Sequence, residues 1–140
     1  MSLEKNRMEA DRWYRTAEGD LDTAIILSEN RKYAHSCFHS HQSAEKAIKA
    51  VWYFLEAEPW GHSIGKMIRD LKQVNSKTAD KLGTLQKDAV VLDRFYIPTR
   101  YPNGLPDITP DEAYLEDDAK ACIEMATRIL KAVGDYLNKK

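Results

Sequence analysis

The sequence predicts an all-α protein, and three observations carry this prediction. Apolar residues recur at steps of three and four along most of the chain, which is the period of an α-helix. The prolines fall between these stretches or at the first residue of one, where helices tolerate them. No segment shows the two-residue alternation that is typical of a β-strand. We therefore expect residues 1–140 to form a single domain, an up-down four-helix bundle with one additional short helix.

The first two predicted helices are long. The first spans about 4–29 and the second about 33–56, separated by Asn30, Arg31 and Lys32. Pro59 and Gly61 follow the second helix, and neither residue type continues a helix well. Both helices carry an apolar stripe that should face the core, formed by Trp13, Ala17, Leu21, Ala24 and Leu27 in the first and by Ala34, Cys37, Phe38, His41, Ala44, Ile48, Trp52 and Leu55 in the second.

Three further helices complete the prediction. A short one follows Ser63, and a fourth helix, ended by Pro98, carries a core stripe of Leu82, Leu85, Ala89, Leu92 and Tyr96. Thr109 and Pro110 mark a strong helix start, because a hydroxyl caps the first turn and proline suits the first helical position. This last helix should run to about residue 138, with a core stripe of Leu115, Ala119, Cys122, Ala126, Ile129, Val133 and Leu137.

Composition narrows the class of protein. Charged residues make up 31% and apolar residues 43%, as in ordinary folded proteins. No apolar run is long enough for a membrane span, and the first residues lack the apolar core of a signal peptide. Cys37 and Cys122 lack metal-type spacing and lie on apolar helical faces, so we expect reduced core thiols. These features predict a cytoplasmic protein without a membrane association.

The charge pattern is uneven. A net charge of −1 argues against a protein that coats nucleic acid through salt-dependent contacts. However, residues 66–100 contain eight Lys or Arg and four Asp, and residues 107–118 contain six acidic residues and no basic one. This pattern is compatible with a local RNA-binding cleft. It is also compatible with solvated helix faces and with acids that favour a helix N-terminus.

Two carboxylates lie in phase with apolar stripes. Asp20 falls on the core side of the first helix, and Glu45 on that of the second. An unpaired buried charge is costly, so each should pair with a lysine or arginine inside the bundle. Lys49, one turn after Glu45, is the local candidate, since Glu before Lys at this spacing is the favourable order. Asp20 and Glu45 are thus predicted to support the structure.

Arg100 and Tyr101 lie on a loop whose backbone is restricted. Pro98 and Pro102 flank them, and the residue before a proline prefers extended geometry. A fixed guanidinium suits a phosphate through its planar fork of donors, and a tyrosine ring can stack on a base. The alternative is that Arg100 caps the fourth helix and Tyr101 packs under the loop.

The histidines suggest two kinds of chemistry. His35 and His39 are one turn apart, a spacing that can bind Zn²⁺, but no third ligand is apparent and we predict no metal or other cofactor. His62 stands at the start of the third helix. It could cap that helix or act near Arg100 as an acid/base group.

The order of these features resembles the HEPN domain family of small prokaryotic proteins. The resemblance covers about residues 13–137 and includes Ala17-x-x-Asp20-Leu21-x-x-Ala24, Gln42-x-Ala44-Glu45-Lys46-Ala47-x-Lys49-Ala50, Gly61-His62 and Leu92-Asp93-x-x-Tyr96-Ile97-x-Thr99-Arg100-Tyr101-Pro102. It implies an all-α homodimer with the Arg-Tyr loop near a cleft between subunits. It also implies a minimal nucleotidyltransferase encoded nearby as the partner in a toxin–antitoxin pair, and in many members a metal-independent RNase toxin.

The sequence departs from the RNase signature of this family at one point. That signature places a histidine after four to six intervening residues, and the corresponding positions here are Leu105, Pro106 and Asp107. Arg100 therefore carries over by resemblance, whereas the histidine does not. Tyr101 does not occupy the tyrosine position of the full motif either.

Three functions remain open at the level of sequence. The first is a HEPN protein without strong catalysis that binds a nucleotide or RNA, rather than DNA, through Arg100, Tyr101, Lys46 and Lys49. The second is an active RNase in which Arg100 acts with His62 or with a residue of the other subunit. The third is a dimeric module that only contacts another protein. The missing histidine favours the first.

Overall fold

The computed structural model describes residues 2–138, and within them every regular element is helical. Three long helices, α1 (Leu3–Glu29), α2 (Tyr33–Phe54) and α7 (Glu116–Asn138), form most of the bundle. The short helices α3 (Ile64–Asp70), α4 (Ser76–Leu82), α5 (Gln86–Asp93) and α6 (Pro110–Ala113) lie between α2 and α7 in sequence. The predicted all-α bundle is confirmed. No helix in this part of the chain is long and apolar enough to cross a bilayer.

The first two helices form a close antiparallel pair. The buried side of α1 is lined by alanines, including Ala17 and Ala24, which allow the backbone of α2 to approach. Ser36 and Ser43 of α2 then donate hydrogen bonds to the carbonyls of Ala24 and Ala17, at 2.7 and 2.6 Å. The α1–α2 interface is therefore built from small residues, and it holds the face of α2 that carries the polar residues in a fixed position.

The core lies between α2, α7 and the short helices. Large buried side chains of α2, α7 and the segment from α3 to α5 meet there, among them Ile48, Ile64, Met67, Leu71, Leu92 and Ile129. Cys37 and Cys122 are also fully buried and are not joined by a disulfide, as the sequence predicted. α2 is thus in contact with α1 on one side and with the core on the other.

Some helix bounds differ from the predicted ones. α2 ends at Phe54, and Glu56 adopts the left-handed conformation (φ 58°) that often terminates a helix. The predicted fourth helix is divided into α4 and α5 by a 3₁₀ turn at Gly83–Leu85, and α5 ends at Asp93, well before Pro98. Its end is fixed by the side chain of Asp93, which is directed to the start of α3.

The last predicted helix is also interrupted. Thr109 caps the start of α6 and Pro110 is its first residue, as expected, and Glu112 completes a capping box, but α6 ends after one turn. Tyr114 is extended and packs its ring against Phe95, 5.8 Å between centroids, after which α7 begins at Glu116. Leu115, which we predicted to be in the core, is therefore exposed.

Candidate functional site

The loop that follows α5 brings Arg100 onto a group of aromatic rings. The guanidinium carbon lies 4.5 Å from the ring centroid of Tyr96, 4.6 Å from Phe38 and 5.0 Å from Tyr101. Cations are attracted to ring faces at these distances. We refer to Phe38, Tyr96, Arg100 and Tyr101 as the Arg100 cluster.

Hydrogen bonds fix the same loop. Arg100 donates from Nε to the carbonyl oxygen of Tyr96 at 3.0 Å, and Thr99 donates from Oγ1 to the carbonyl of Phe95 at 2.6 Å. The accepting carbonyl lies three residues beyond the end of α5 at Asp93, so Arg100 fixes the loop and does not cap the helix. No carboxylate of residues 2–138 pairs with the guanidinium, so its Nη groups remain available to an anion.

His62 contacts the Arg100 cluster through Tyr96. The two rings stack with centroids 4.9 Å apart and an angle of 21°. Ser63, rather than His62, caps α3, since its hydroxyl accepts from the backbone N–H of Lys66. The side chain of His62 is 56% exposed and donates from Nδ1 to Glu45 at 3.2 Å. Nδ1 is therefore occupied, and Nε2 is the nitrogen that a ligand could reach.

Glu45 is the centre of a buried polar network. Its side chain is only 4% exposed, and Lys49 donates to it at 2.9 Å in the pairing that the sequence predicted. Two histidines also face this carboxylate. Nδ1 of His62 lies 3.2 Å from it and Nδ1 of His41 lies 3.9 Å from it. We refer to Glu45, Lys49, His41, His62 and Asp93 as the Glu45 network.

Asp93 joins this network to α3. It accepts from Nε2 of the fully buried His41 at 3.0 Å, from the backbone N–H groups of Ile64 and Gly65, and from the hydroxyl of Ser63. Burial raises the pKa of Asp93, but these hydrogen bonds outweigh burial and hold the pKa below its usual value. A Cβ at position 65 would lie 3.0 Å from Val90, so glycine permits this close approach of α3 to α5.

Lys46 pairs with Asp20, the other carboxylate that the sequence places on the core side of a helix. Its Nζ lies 2.7 Å from Asp20 of α1, across the α1–α2 interface. Lys49 in addition lies 5.9 Å from the ring centroid of Trp13. Both lysines that we proposed as ligand contacts therefore already have a carboxylate partner, unlike Arg100.

His39 of α2 borders the Arg100 cluster, since its ring lies 5.5 Å from that of Phe38 between centroids, whereas His35, one turn earlier, is exposed. His39 is half-buried, and burial is the main cause that lowers its pKa, with smaller contributions from His35 and Lys46 and an opposing one from Asp20. The chain from 2 to 138 holds no group of three or more His, Cys, Asp or Glu side chains that could bind a metal ion.

The structure thus gathers Arg100, Tyr101, His62, Glu45 and Lys49 in one region. Sequence reasoning did not assign a role to Phe38, Tyr96 or Asp93. Phe38 and Tyr96 were assigned to the apolar stripes of their helices, and Asp93 was named only in the charge pattern and in the motif of the family resemblance. A sequence signal exists for Tyr96 alone, which is an aromatic residue four residues before Arg100, a spacing at which a side chain can reach back over a turn. The contacts of Phe38 and Asp93 join distant segments and leave no such signal.

Comparison with known proteins identifies relatives that match nearly the whole chain. The model of the HEPN domain family matches residues 10–136. A protein of Methanocaldococcus jannaschii named "Putative toxin MJ1304" is 29% identical over 129 residues, which cover 89% of this chain and 85% of that protein.

Solved structures of similar proteins share the fold. The crystal structure of TT1696 from Thermus thermophilus is 32% identical, with a TM-score of 0.82 over 91% of this chain and 97% of that one. ST0689, an archaeal HEPN homologue, is 34% identical, with a TM-score of 0.74 over 92% of this chain and 98% of that one. The match of the family model and these structures lead to one conclusion: the chain belongs to the HEPN domain family.

Proposed function

We propose that this HEPN domain protein binds the phosphate of a nucleotide or of RNA at the Arg100 cluster, and that binding rather than cleavage is its main activity. The observation that carries the proposal is the state of Arg100. Three rings and one carbonyl hold its guanidinium, and no carboxylate of the described residues neutralises it. A cation fixed in this way is preorganised for an anion, because little side-chain freedom is lost when the anion binds.

The surroundings of Arg100 suit the other parts of a nucleotide. Tyr101 is 49% exposed and His62 56% exposed, so both rings can stack on a base while the guanidinium contacts a phosphate. Lys46 and Lys49 would then support the site, since their carboxylate partners Asp20 and Glu45 already use much of their charge.

Titration of the protein with a fluorescently labelled RNA oligonucleotide and with AMP tests the proposal. We expect Arg100→Ala to weaken both by about ten- to hundred-fold, because hydrogen bonds to charged groups contribute about 1.5–3 kcal/mol. Arg100→Lys keeps the charge but loses the planar fork of donors, so its affinity for both ligands should lie between those of wild type and Arg100→Ala. Arg94→Ala is the matched control, since Arg94 is an exposed arginine of the same segment. Equal affinity of wild type and Arg100→Ala for both ligands would contradict the proposal.

We also propose the biological setting, a toxin–antitoxin pair with a minimal nucleotidyltransferase. Its support is the family membership and the similarity to a protein named as a putative toxin. The test is growth of cells that express this protein with and without a nucleotidyltransferase encoded beside it. Growth arrest only in the absence of the neighbour supports the pairing, and unchanged growth in both cases contradicts it.

A homodimer is part of the same proposal. Two apolar side chains of α5 and the loop after it are exposed, Val90 at 43% and Ile97 at 48%, and a second copy could cover them. Light scattering at micromolar concentration should give twice the mass of the chain, and Ile97→Asp should reduce it. A monomeric wild-type protein would contradict this part.

A second function, RNA cleavage, is favoured by one specific observation. Glu45 holds His62 through Nδ1 and leaves Nε2 exposed, as in sites where a carboxylate orients a histidine for proton transfer. If His62 replaces the missing histidine, the protein should cleave RNA in excess EDTA. His62→Ala and Glu45→Gln should both lower this rate, the latter by misorienting the ring. If the wild-type protein does not cleave RNA, this second function is refuted and binding remains the proposed function.

A further inference from the structure

We propose that the groove beside Trp13 is a second subsite for a nucleotide base, so that the ligand is a single-stranded oligonucleotide rather than a mononucleotide. This inference rests on the proposed function of the Arg100 cluster. The groove is a cavity of about 310 Å³ between α1 and α2, lined by Glu9, Arg12, Trp13, Thr16 and Lys46.

Trp13 is held in a fixed orientation at this groove. Its ring stacks on Tyr53 of α2 with centroids 5.2 Å apart and an angle of 25°. Its indole Nε1 donates to Glu9 at 3.2 Å. The ring is half-buried, so one part is fixed by the protein and another part borders the groove. A fixed aromatic ring at an open cavity can stack against a base with little loss of side-chain freedom.

Lys49 links Trp13 of the groove to the Glu45 network. The Nζ atom of Lys49 lies 5.9 Å from the ring of Trp13 and 2.9 Å from Glu45, which in turn holds His62. We therefore expect a ligand seated on His62 and Tyr101 to reach Trp13 along the side of Lys49.

The distance along α2 sets the length of that ligand. Phe38 lies under Arg100, and Lys46 lines the groove, eight residues further along the helix. Eight residues of α-helix span about 12 Å. Stacked nucleotides of one strand rise about 3.4 Å each, so about three or four nucleotides cover this distance and a mononucleotide does not.

The charges at the groove indicate how the ligand binds there. Arg12 pairs with Glu9 at 2.9 Å, and Lys46 pairs with Asp20 at 2.7 Å. The cations are thus balanced by carboxylates, which disfavours strong phosphate contacts. The contribution of the groove is then mainly the stacking of a base on Trp13, a contact that every base can make.

The experiment compares ligands of different length and two variants of one residue. Wild-type protein is titrated with AMP, with a dinucleotide and with a hexanucleotide, the hexanucleotide as RNA and as DNA of the same sequence. We expect the RNA hexanucleotide to bind about ten-fold more tightly than AMP or more. Trp13→Leu should remove most of that gain and leave AMP binding unchanged, whereas Trp13→Phe, which keeps an aromatic ring, should retain most of it.

Each outcome decides between the proposals. Unchanged AMP binding shows that Trp13→Leu is folded at the Arg100 cluster, and a thermal melt of both variants checks the rest. The second subsite is refuted if Trp13→Leu does not weaken binding of the hexanucleotide, or if wild type binds the hexanucleotide no more tightly than AMP. The site at the Arg100 cluster stands in both cases. If neither ligand binds wild type, the proposed function itself is wrong. If the RNA and DNA hexanucleotides gain the same affinity over AMP, the ligand is any single strand. If only the RNA hexanucleotide gains affinity, the ligand is RNA.

Discussion

Arg100 and Lys49 are two cations of the same site that are held by different kinds of partner. Aromatic rings hold Arg100 at 4.5–5.0 Å, and no carboxylate within residues 2–138 pairs with it. A buried carboxylate holds Lys49 at 2.9 Å, and the lysine is only 14% exposed. Rings fix the position of a cation but leave its charge available, whereas a carboxylate cancels most of it.

This difference separates the residue that we expect to bind a phosphate from the residues that we expect to stabilise the fold. In the sequence, Arg100, Lys46 and Lys49 are all candidates for a phosphate contact, although Lys49 is also the predicted partner of Glu45. In the structure, both lysines complete ion pairs that join α1 to α2 or stabilise a buried carboxylate of α2. We therefore assign the phosphate contact to Arg100 and expect changes at the lysines and their partners to affect stability first. The predictions below test this assignment, from the largest expected effect to the smallest.

Removal of Glu45 should have the largest effect on stability. Glu45→Leu leaves Lys49 buried without its partner, and loss of one member of a buried pair costs about 3–5 kcal/mol. The double variant Glu45→Leu/Lys49→Met should recover much of this loss, because no buried charge remains. Urea denaturation of the two variants and of wild type measures both effects. A single variant as stable as wild type would show that Lys49 does not depend on Glu45.

The carboxylate of Asp93 should make stability depend on pH. Its pKa is lower in the folded protein than in the unfolded chain, so its contribution is complete above the unfolded value of about 3.9 and is lost as the pH falls through the lower folded value. Asp93→Asn should cost about 1–3 kcal/mol at neutral pH, since charged hydrogen bonds are weakened.

The pH profile distinguishes Asp93 from other acids. The difference in unfolding free energy between wild type and Asp93→Asn should be constant from neutral pH to about pH 5 and should shrink at lower pH. A difference that is the same at pH 3 and pH 7 would mean that another group carries the dependence. Asp70→Asn, which changes a more exposed pair with Lys66, is the control.

The pair of Lys46 and Asp20 should contribute least. Both side chains are partly exposed, at 27% and 20%, and such pairs are typically worth up to about 1 kcal/mol. Lys46→Met should therefore lower the unfolding free energy by about that amount or less. A loss as large as that of Glu45→Leu would contradict the distinction between a partly exposed and a buried pair.

Local patterns in the sequence were sufficient for part of this account. The period of the apolar residues predicted α1, α2 and most of α7, and the spacing of Glu45 and Lys49 predicted their pair, because both signals lie within one helix. The helix start at Thr109 and Pro110 was also recognisable, although the interruption after Ala113 was not. It depends on the packing of Tyr114 against Phe95, which no local pattern records.

The centre of the site was not predictable in the same way. Asp93 acts on α3, about thirty residues earlier in the chain, and Tyr96 matters because the loop after α5 turns back and places Arg100 on its ring. His62 was recognised as a candidate, but only the contacts with Tyr96 and Glu45 separate its role from that of Ser63, the cap of α3. These are contacts between segments distant in sequence.

The salt dependence of RNA binding tests the central claim most directly. For single strands the logarithm of the binding constant falls with the logarithm of salt concentration by about 0.7 for each phosphate contact. If Arg100 is the cation that contacts phosphate, a short RNA should show a slope of about −0.7 per site, and Arg100→Gln should bring it close to zero. A slope of about −2 that is unchanged in Arg100→Gln but reduced in Lys46→Met or Lys49→Met would contradict it.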